Sequence, residues 1–185
     1  MGATYGSSPA RIAEMLKDKQ GRNANIDECA QIIEDYFVSF PKVKQLMLDS
    51  HRQAIDTGEV HNLFGRPRHI TEAKKLKAYG PNIEHSKLTY LERNPLNLAI
   101  NARIQNTAGS LMNRAMIAFY RRCKALGLDT RIVMTVHDEI IIECLIADAE
   151  QVKEILRDTM QNTTKIPGVD LLAEPVIGAR IGDLK

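Results

Sequence analysis

Between two apolar runs, ArgIleValMetThrVal at 131–136 and IleIleIleGluCysLeuIle at 140–146, the chain places His137, Asp138 and Glu139. Carboxylates in a tight turn between two strands stand at a sheet edge, open to ligands. Asp and Glu offer hard oxygen atoms suited to Mg²⁺, which takes one or two protein carboxylates and leaves room for phosphates. Phosphoryl transfer commonly uses two such ions about 3.5–4 Å apart, one activating the attacking oxygen and the other stabilising the leaving group. The plainer reading is a hairpin turn that happens to be acidic. Spacing alone does not separate the two.

Three further groups could do chemistry. Asn97, Asn101 and Gln105 follow one another at intervals of four, so on a helix they share one face. Amides donate and accept, which suits base edges and sugars in a minor groove, although a solvated helix face reads the same way. Arg66 and Arg68 flank Pro67; such a pair grips successive phosphates, or simply keeps a hairpin soluble. Tyr5 and Gly6 precede a helix start, where a packing aromatic and a helix cap are the ordinary roles.

The elements that must position these groups follow from caps and periodicity. Ser8 and Pro9 open a helix with Ile12, Met15 and Leu16 on one face. Asn25 and Glu28 form a capping-box pattern for a second helix through Phe37. Pro41 starts a third, bearing Val43, Leu46, Met47 and Ile55, which Gly58 stops. Residues 59–70 read as a hairpin and 71–90 as an irregular loop around Gly80 and Pro81. Asn94 and Pro95 then predict the start of a long helix with Ile100, Ile104, Leu111, Ala115 and Phe119 inward, ended by Gly127. The hairpin around His137 follows, then a helix capped by Asp148 and running to about Thr163, and a last strand over 175–181. The expected class is α+β, a small antiparallel sheet backed by helices and preceded by a helical segment.

Composition sets the outer bounds. The 185 residues are 44% hydrophobic and 26% charged, enough for a real core in one domain and too ordered in character for a disordered chain. A net charge of +2 does not announce a polyanion partner, but the basic residues cluster as Arg66, Arg68 and His69, as Lys74, Lys75 and Lys77, and as Arg121, Arg122 and Lys124. Cys29, Cys123 and Cys144 are odd in number and far apart, which argues against a disulfide framework or zinc site and for a reducing, cytosolic setting. No apolar run approaches the roughly 20 residues of a membrane span, and the first residues do not follow a signal-peptide plan.

Taken in order, these motifs resemble one family. Residues 101–118, AsnAlaArgIleGlnAsnThrAlaGlySerLeuMetAsnArgAlaMetIleAla, are similar to the palm helix of family A DNA polymerases of the bacterial polymerase I and phage type. ValHisAspGluIle at 136–140 resembles that family's motif C, GlyArgProArgHisIle at 65–70 its GlyArg hairpin, and MetGlyAlaThrTyrGly at 1–6 the tail of motif B. The resemblance implies a partial fingers segment over 1–58 and a palm part over 59–185. It makes Asp138 a metal-binding aspartate for Mg²⁺ in a two-metal site, Glu139 the supporting acid and His137 a neighbour of the primer terminus. It further implies minor-groove contacts from Asn101 and Gln105, a DNA-backbone contact from Arg66, with Arg68 beside it, and a place next to the nascent base pair for Tyr5.

The departures shape the functional expectation. The family's motif A aspartate falls upstream of residue 1, as do the triphosphate-holding Arg and Lys of motif B and the thumb. Met1 stands where the family has an aromatic stacking residue, and Asn97 where bacterial relatives often carry arginine. One aspartate does not hold two ions in productive geometry. The expectation is therefore a template-directed polymerase portion that binds primer–template DNA and dNTP and acts only with a separate chain supplying motif A, the thumb and most of motif B. The alternative is a non-catalytic DNA-binding or assembly module derived from a palm.

Overall fold

Caps set the first three helices. In this computed structural model, which describes residues 7–21, 23–80, 83 and 88–184, α1 spans Pro9–Gln20, and the Ser8 hydroxyl accepts from Arg11 N at 3.3 Å. Helix α2, Ile26–Ser39, starts where Asn25 Oδ1 accepts from Glu28 N at 2.6 Å. Helix α3, Pro41–Thr57, begins on a proline whose missing N–H costs nothing in a first turn. It ends at Gly58, where φ is 75° and an added Cβ would lie 2.6 Å from Lys74 Cε. The positive φ calls for glycine there, whereas the exposed Lys74 side chain could move aside.

A short antiparallel pair follows, β1 at Glu59–His61 and β2 at Pro67–His69, with Val60 opposite Arg68. Residues 71–79 are not the irregular loop their polarity suggests: Thr71–Tyr79 forms a 3-10 helix. Ala73 and Leu76, three apart, are its buried side, which is the period of three residues per turn. The long helix α4 runs Tyr90–Ala125, so Pro95 lies inside it and not at its first position. Its true start is a reciprocal cap. Thr89 N donates to Glu92 Oε2 at 2.9 Å, and Glu92 N donates to the Thr89 hydroxyl at 3.4 Å. Pro95 and Leu96 are buried, and that packing carries a residue the helix interior would otherwise reject.

The chain divides into two compact units, residues 1–106 and 107–185, and α4 contributes to each. In the first, Ala54, Val60, Ile70, Ala73, Ala99 and Ala102 form one buried cluster, and Leu76, Leu88 and Leu96 another. In the second, Ala115, Phe119 and Cys123 of α4 pack with Ile140, Val152, Ile155 and Leu156.

That second cluster backs a longer hairpin, β3 at Thr130–Val136 and β4 at Glu139–Cys144, and helix α5 at Ala149–Asn162. Helix α5 buries Val152, Ile155, Leu156 and Thr159, the stripe expected of an amphipathic helix. Asp148 does not cap it through its side chain. A 3-10 turn, Ile146–Asp148, leads straight into α5 and holds Asp148 at φ −99°, ψ −3°, away from the extended backbone a capping side chain needs. Nor is 175–181 a strand. Pro175 cannot donate to a ladder, and the chain bends at Ala179 and Arg180, packs Gly178 close to Asp183 and Leu184, and closes a 3-10 turn at Ile181–Asp183. The class is α+β as expected, with the described strands in two separate two-stranded sheets.

Candidate nucleic-acid interface and carboxylate turn

In the second unit, Val136 pairs with Glu139, so His137 and Asp138 form a two-residue turn. His137 has φ 54°. Positive φ at the first turn position matches the right-handed twist of a hairpin, but glycine normally occupies it. A histidine there is held in a conformation that costs of order 1–2 kcal/mol, imposed by the strands on either side. The consequence is that Asp138 and Glu139 are displayed at the tip, both exposed.

A bulge decides what lies beside that tip. The register runs Ile132 to Ile142 and then Met134 to Ile141, so Val133 is the extra residue. Without it, strict alternation would put Ile132, Met134 and Val136 on one face. With it, Ile132 stays on the core cluster with Ile140 and Ile142, while Met134, Val136 and Ile141 turn outward. These outward residues line an open groove of about 520 Å³ that Met160, Leu172 and Val176 also border, with Asp138 and Glu139 among its lining. Glu174 lines it as well, a carboxylate that nothing in its local sequence singled out.

As metal ligands, Asp138 and Glu139 fit in kind. Their oxygen atoms are the donors Mg²⁺ prefers, but no group of three or more His, Cys, Asp or Glu residues comes together among the described residues.

In the first unit, Asn97, Asn101 and Gln105 lie on α4 at the expected helical spacing, the first two half-buried and Gln105 exposed. Asn101 Oδ1 is buried and has no hydrogen-bond partner among the described residues. Arg66 and Arg68 are exposed on the β1–β2 hairpin. Beside them lies a polar network that composition did not reveal. Glu59 contacts His61 Nε2 at 3.5 Å and His69 Nδ1 at 3.2 Å. Gln53 Nε2 and His61 Nδ1 are 2.9 Å apart, and Arg103 donates to Gln53 Oε1. Tyr5 lies outside the described residues.

The basic clusters differ in availability. Lys74, Lys75 and Lys77 are exposed along the 3-10 helix. Arg122 instead pairs with Asp158, whose carboxyl is held below its usual range first by Asn162 and then by Arg122. The cysteines are all free thiols, and burial pushes those of Cys123 and Cys144 up. No helix among the described residues is long and apolar enough to cross a membrane.

The first unit thus carries an amide-bearing helix face and an arginine hairpin, and the second an acidic turn at positive φ. The chain belongs to DNA polymerase family A, whose family model matches residues 1–183. It is 34% identical to DNA polymerase I of Caldicellulosiruptor bescii over 90% of this chain and 18% of that protein. To DNA polymerase I of Pseudomonas aeruginosa it is 32% identical over 96% of this chain and 18% of the relative. The DNA polymerase of Bacillus phage SP01 is 28% identical over 98% and 19% respectively. Among solved structures, the polymerase domain of Pol1 from M. smegmatis in complex with DNA primer-template and dNTP superposes with a TM-score of 0.73 at 27% identity, covering 94% of this chain and 27% of that one. The chain thus spans under a fifth of the length of these sequence relatives.

Proposed function

We propose that this chain is the C-terminal portion of a template-directed DNA polymerase, with residues 1–58 as part of the fingers and 59–185 as part of the palm. The observation that carries the reading is the hairpin turn that forces His137 to positive φ and displays Asp138 and Glu139 beside a groove, in a chain of this family. Asp138 would hold a divalent ion, Glu139 would support it, and His137 would lie against the primer terminus. Bound Mg²⁺ would lower the cost of forming a 3′ oxyanion and neutralise phosphate charge. Asn101 and Gln105 would contact the minor groove, with the unpartnered Asn101 Oδ1 an acceptor in want of a donor. Arg66 and Arg68 would meet backbone phosphates, and Tyr5 the nascent base pair. The partners are primer–template DNA, dNTP and a polypeptide bearing motif A, the thumb and most of motif B.

Dependence on that polypeptide is supported by what the second hairpin leaves open. A strand as continuously apolar as Ile140, Ile141 and Ile142 suits burial on both faces, yet Met134 is 41% and Val136 40% exposed on the outer side. Among the described residues, no group of three or more possible metal ligands gathers at the turn. The test is primer extension with Mg²⁺ and dNTPs, using this chain alone and mixed with a polypeptide that supplies motif A and the thumb. Extension in the mixture only supports the proposal. Extension by the chain alone overturns the requirement for a second carboxylate source, and association without extension favours a scaffold.

A further inference from the structure

We propose that Asn62 is the positioning residue that sets Arg66 against helix α4 for DNA binding, an inference that rests on the reading of Arg66 as a backbone contact. Asn62 stands at the head of the turn joining β1 to β2 and is only 6% exposed, unusual for an amide in a surface hairpin. Its side chain explains the burial. Oδ1 accepts from Phe64 N and from Arg66 N, both at 2.9 Å, while Nδ2 donates to the Asn106 carbonyl of α4 at 3.0 Å. Its backbone closes the same turn: Gly65 N donates to Asn62 O, and Asn62 N donates to Arg66 O, each at 3.0 Å.

One side chain therefore does two separate jobs. The acceptor oxygen folds residues 62–66 into an Asx-type turn and fixes the backbone amide from which the Arg66 side chain departs. The donor nitrogen ties that turn to α4 at the residue next to Gln105. A phosphate contact and a minor-groove contact address the same duplex only if their spacing is set in advance, since phosphate contacts fix register while base-edge contacts require it. The Asn62 side chain is hydrogen-bonded both to that turn and to the helix. Alanine at 62 removes both links and leaves Arg66 itself in place.

The experiment is primer–template binding by fluorescence anisotropy at several salt concentrations, comparing the full chain with Arg66→Ala, Asn62→Ala and the double variant. Each single change is expected to weaken binding roughly tenfold, the worth of one charge-assisted contact, and to reduce the salt slope by about 0.9, one phosphate's share. The double variant should bind no more weakly than Arg66→Ala. Amide exchange supplies the second readout: Asn62→Ala should speed exchange at Phe64 and Arg66 and leave Ile70 and Ala73 protected, which separates a loosened turn from an unfolded unit. Wild-type affinity and slope in Asn62→Ala, alongside a weakened Arg66→Ala, would overturn the positioning role alone. An equal further loss on the Arg66→Ala background would also overturn it, as general destabilisation. An Arg66→Ala variant that binds like wild type would remove the DNA-contact reading, and the positioning proposal with it.

Discussion

The two hairpins of this molecule reach the same outcome, a short loop presenting charged residues, by opposite physical means. The β1–β2 hairpin has three-residue strands and an exposed second strand, and its loop is built by polar contacts, chiefly those of Asn62 and the Glu59–His61–Gln53–Arg103 network. The β3–β4 hairpin has seven- and six-residue strands, a turn of two residues and an apolar backing of Phe119, Val152 and Ile155. Its loop has no polar side chain to shape it, and the strands impose positive φ on His137. The lesson is about tolerance. A loop shaped by hydrogen bonds can present long, adaptable arginines, whereas a loop shaped by paired strands can hold short carboxylates at a set place, with some strain as the cost.

That contrast can be broken in four ways, the first being the most severe. Asp138→Asn should reduce primer extension by the complemented polymerase by several orders of magnitude and leave duplex affinity nearly unchanged, because it removes a ligand charge and no contact area. Comparable losses from Arg66→Ala would erase the distinction between the two hairpins. Next, Phe119→Ala should cost about 3–5 kcal/mol of stability and release the amides of Ile140 and Ile142 to exchange, since Phe119 is 1% exposed beneath the second hairpin. Val60→Ala, in the first, should cost about 2 kcal/mol. Simultaneous melting of both units in both variants, followed by urea denaturation and exchange, would show one cooperative body instead of two.

His137→Gly tests the strain directly. It should raise stability by up to about 1 kcal/mol in thermal melts, as glycine accepts positive φ freely, while weakening primer contact. A lower melting temperature would mean that the imidazole contributes more than its backbone costs. The smallest effect concerns acid. Hydrogen bonds from Thr89 and then Tyr79 hold the Glu92 carboxyl down at about 2, against an ordinary 4.5. A depressed carboxyl contributes stability that is complete above its unfolded value, so this contribution should fade as pH falls from 4.5 toward about 2. Glu92→Gln should flatten exchange at the start of α4 across that window, and an unchanged acid response would remove the cap from the account of that helix.

Much of this was legible in the residues themselves, and the misses have identifiable physics. Ser8, Asn25, Gly58 and Gly127 ended or began helices as their cap chemistry requires, because caps are satisfied within a few residues. Pro95 favours a first turn and so points to a start of α4 at Asn94. The competing pattern, Thr89 followed by Glu92, was present in the chain and won with the help of packing around Pro95 and Leu96. Ala73 and Leu76 carried a period of three that polarity obscured. Residues 175–181 have strand composition, but a strand exists only by pairing, and here Gly178 folds back on Asp183 and Leu184.

The sequence by itself determined the α+β class, the helix boundaries at Ser8, Asn25, Gly58 and Gly127 and the acidic turn between apolar runs, because these depend on local hydrogen bonding and on which side chains avoid water. It also carried the family, through motifs whose order survives without any structure. Only the tertiary structure decided that a bulge at Val133 turns Met134 and Val136 outward, that His137 takes positive φ, and that Asn62 joins a turn to residue 106 across 44 positions of chain. Register, backbone sign and long-range side-chain bonds are settled when distant segments meet, and no local pattern records that meeting.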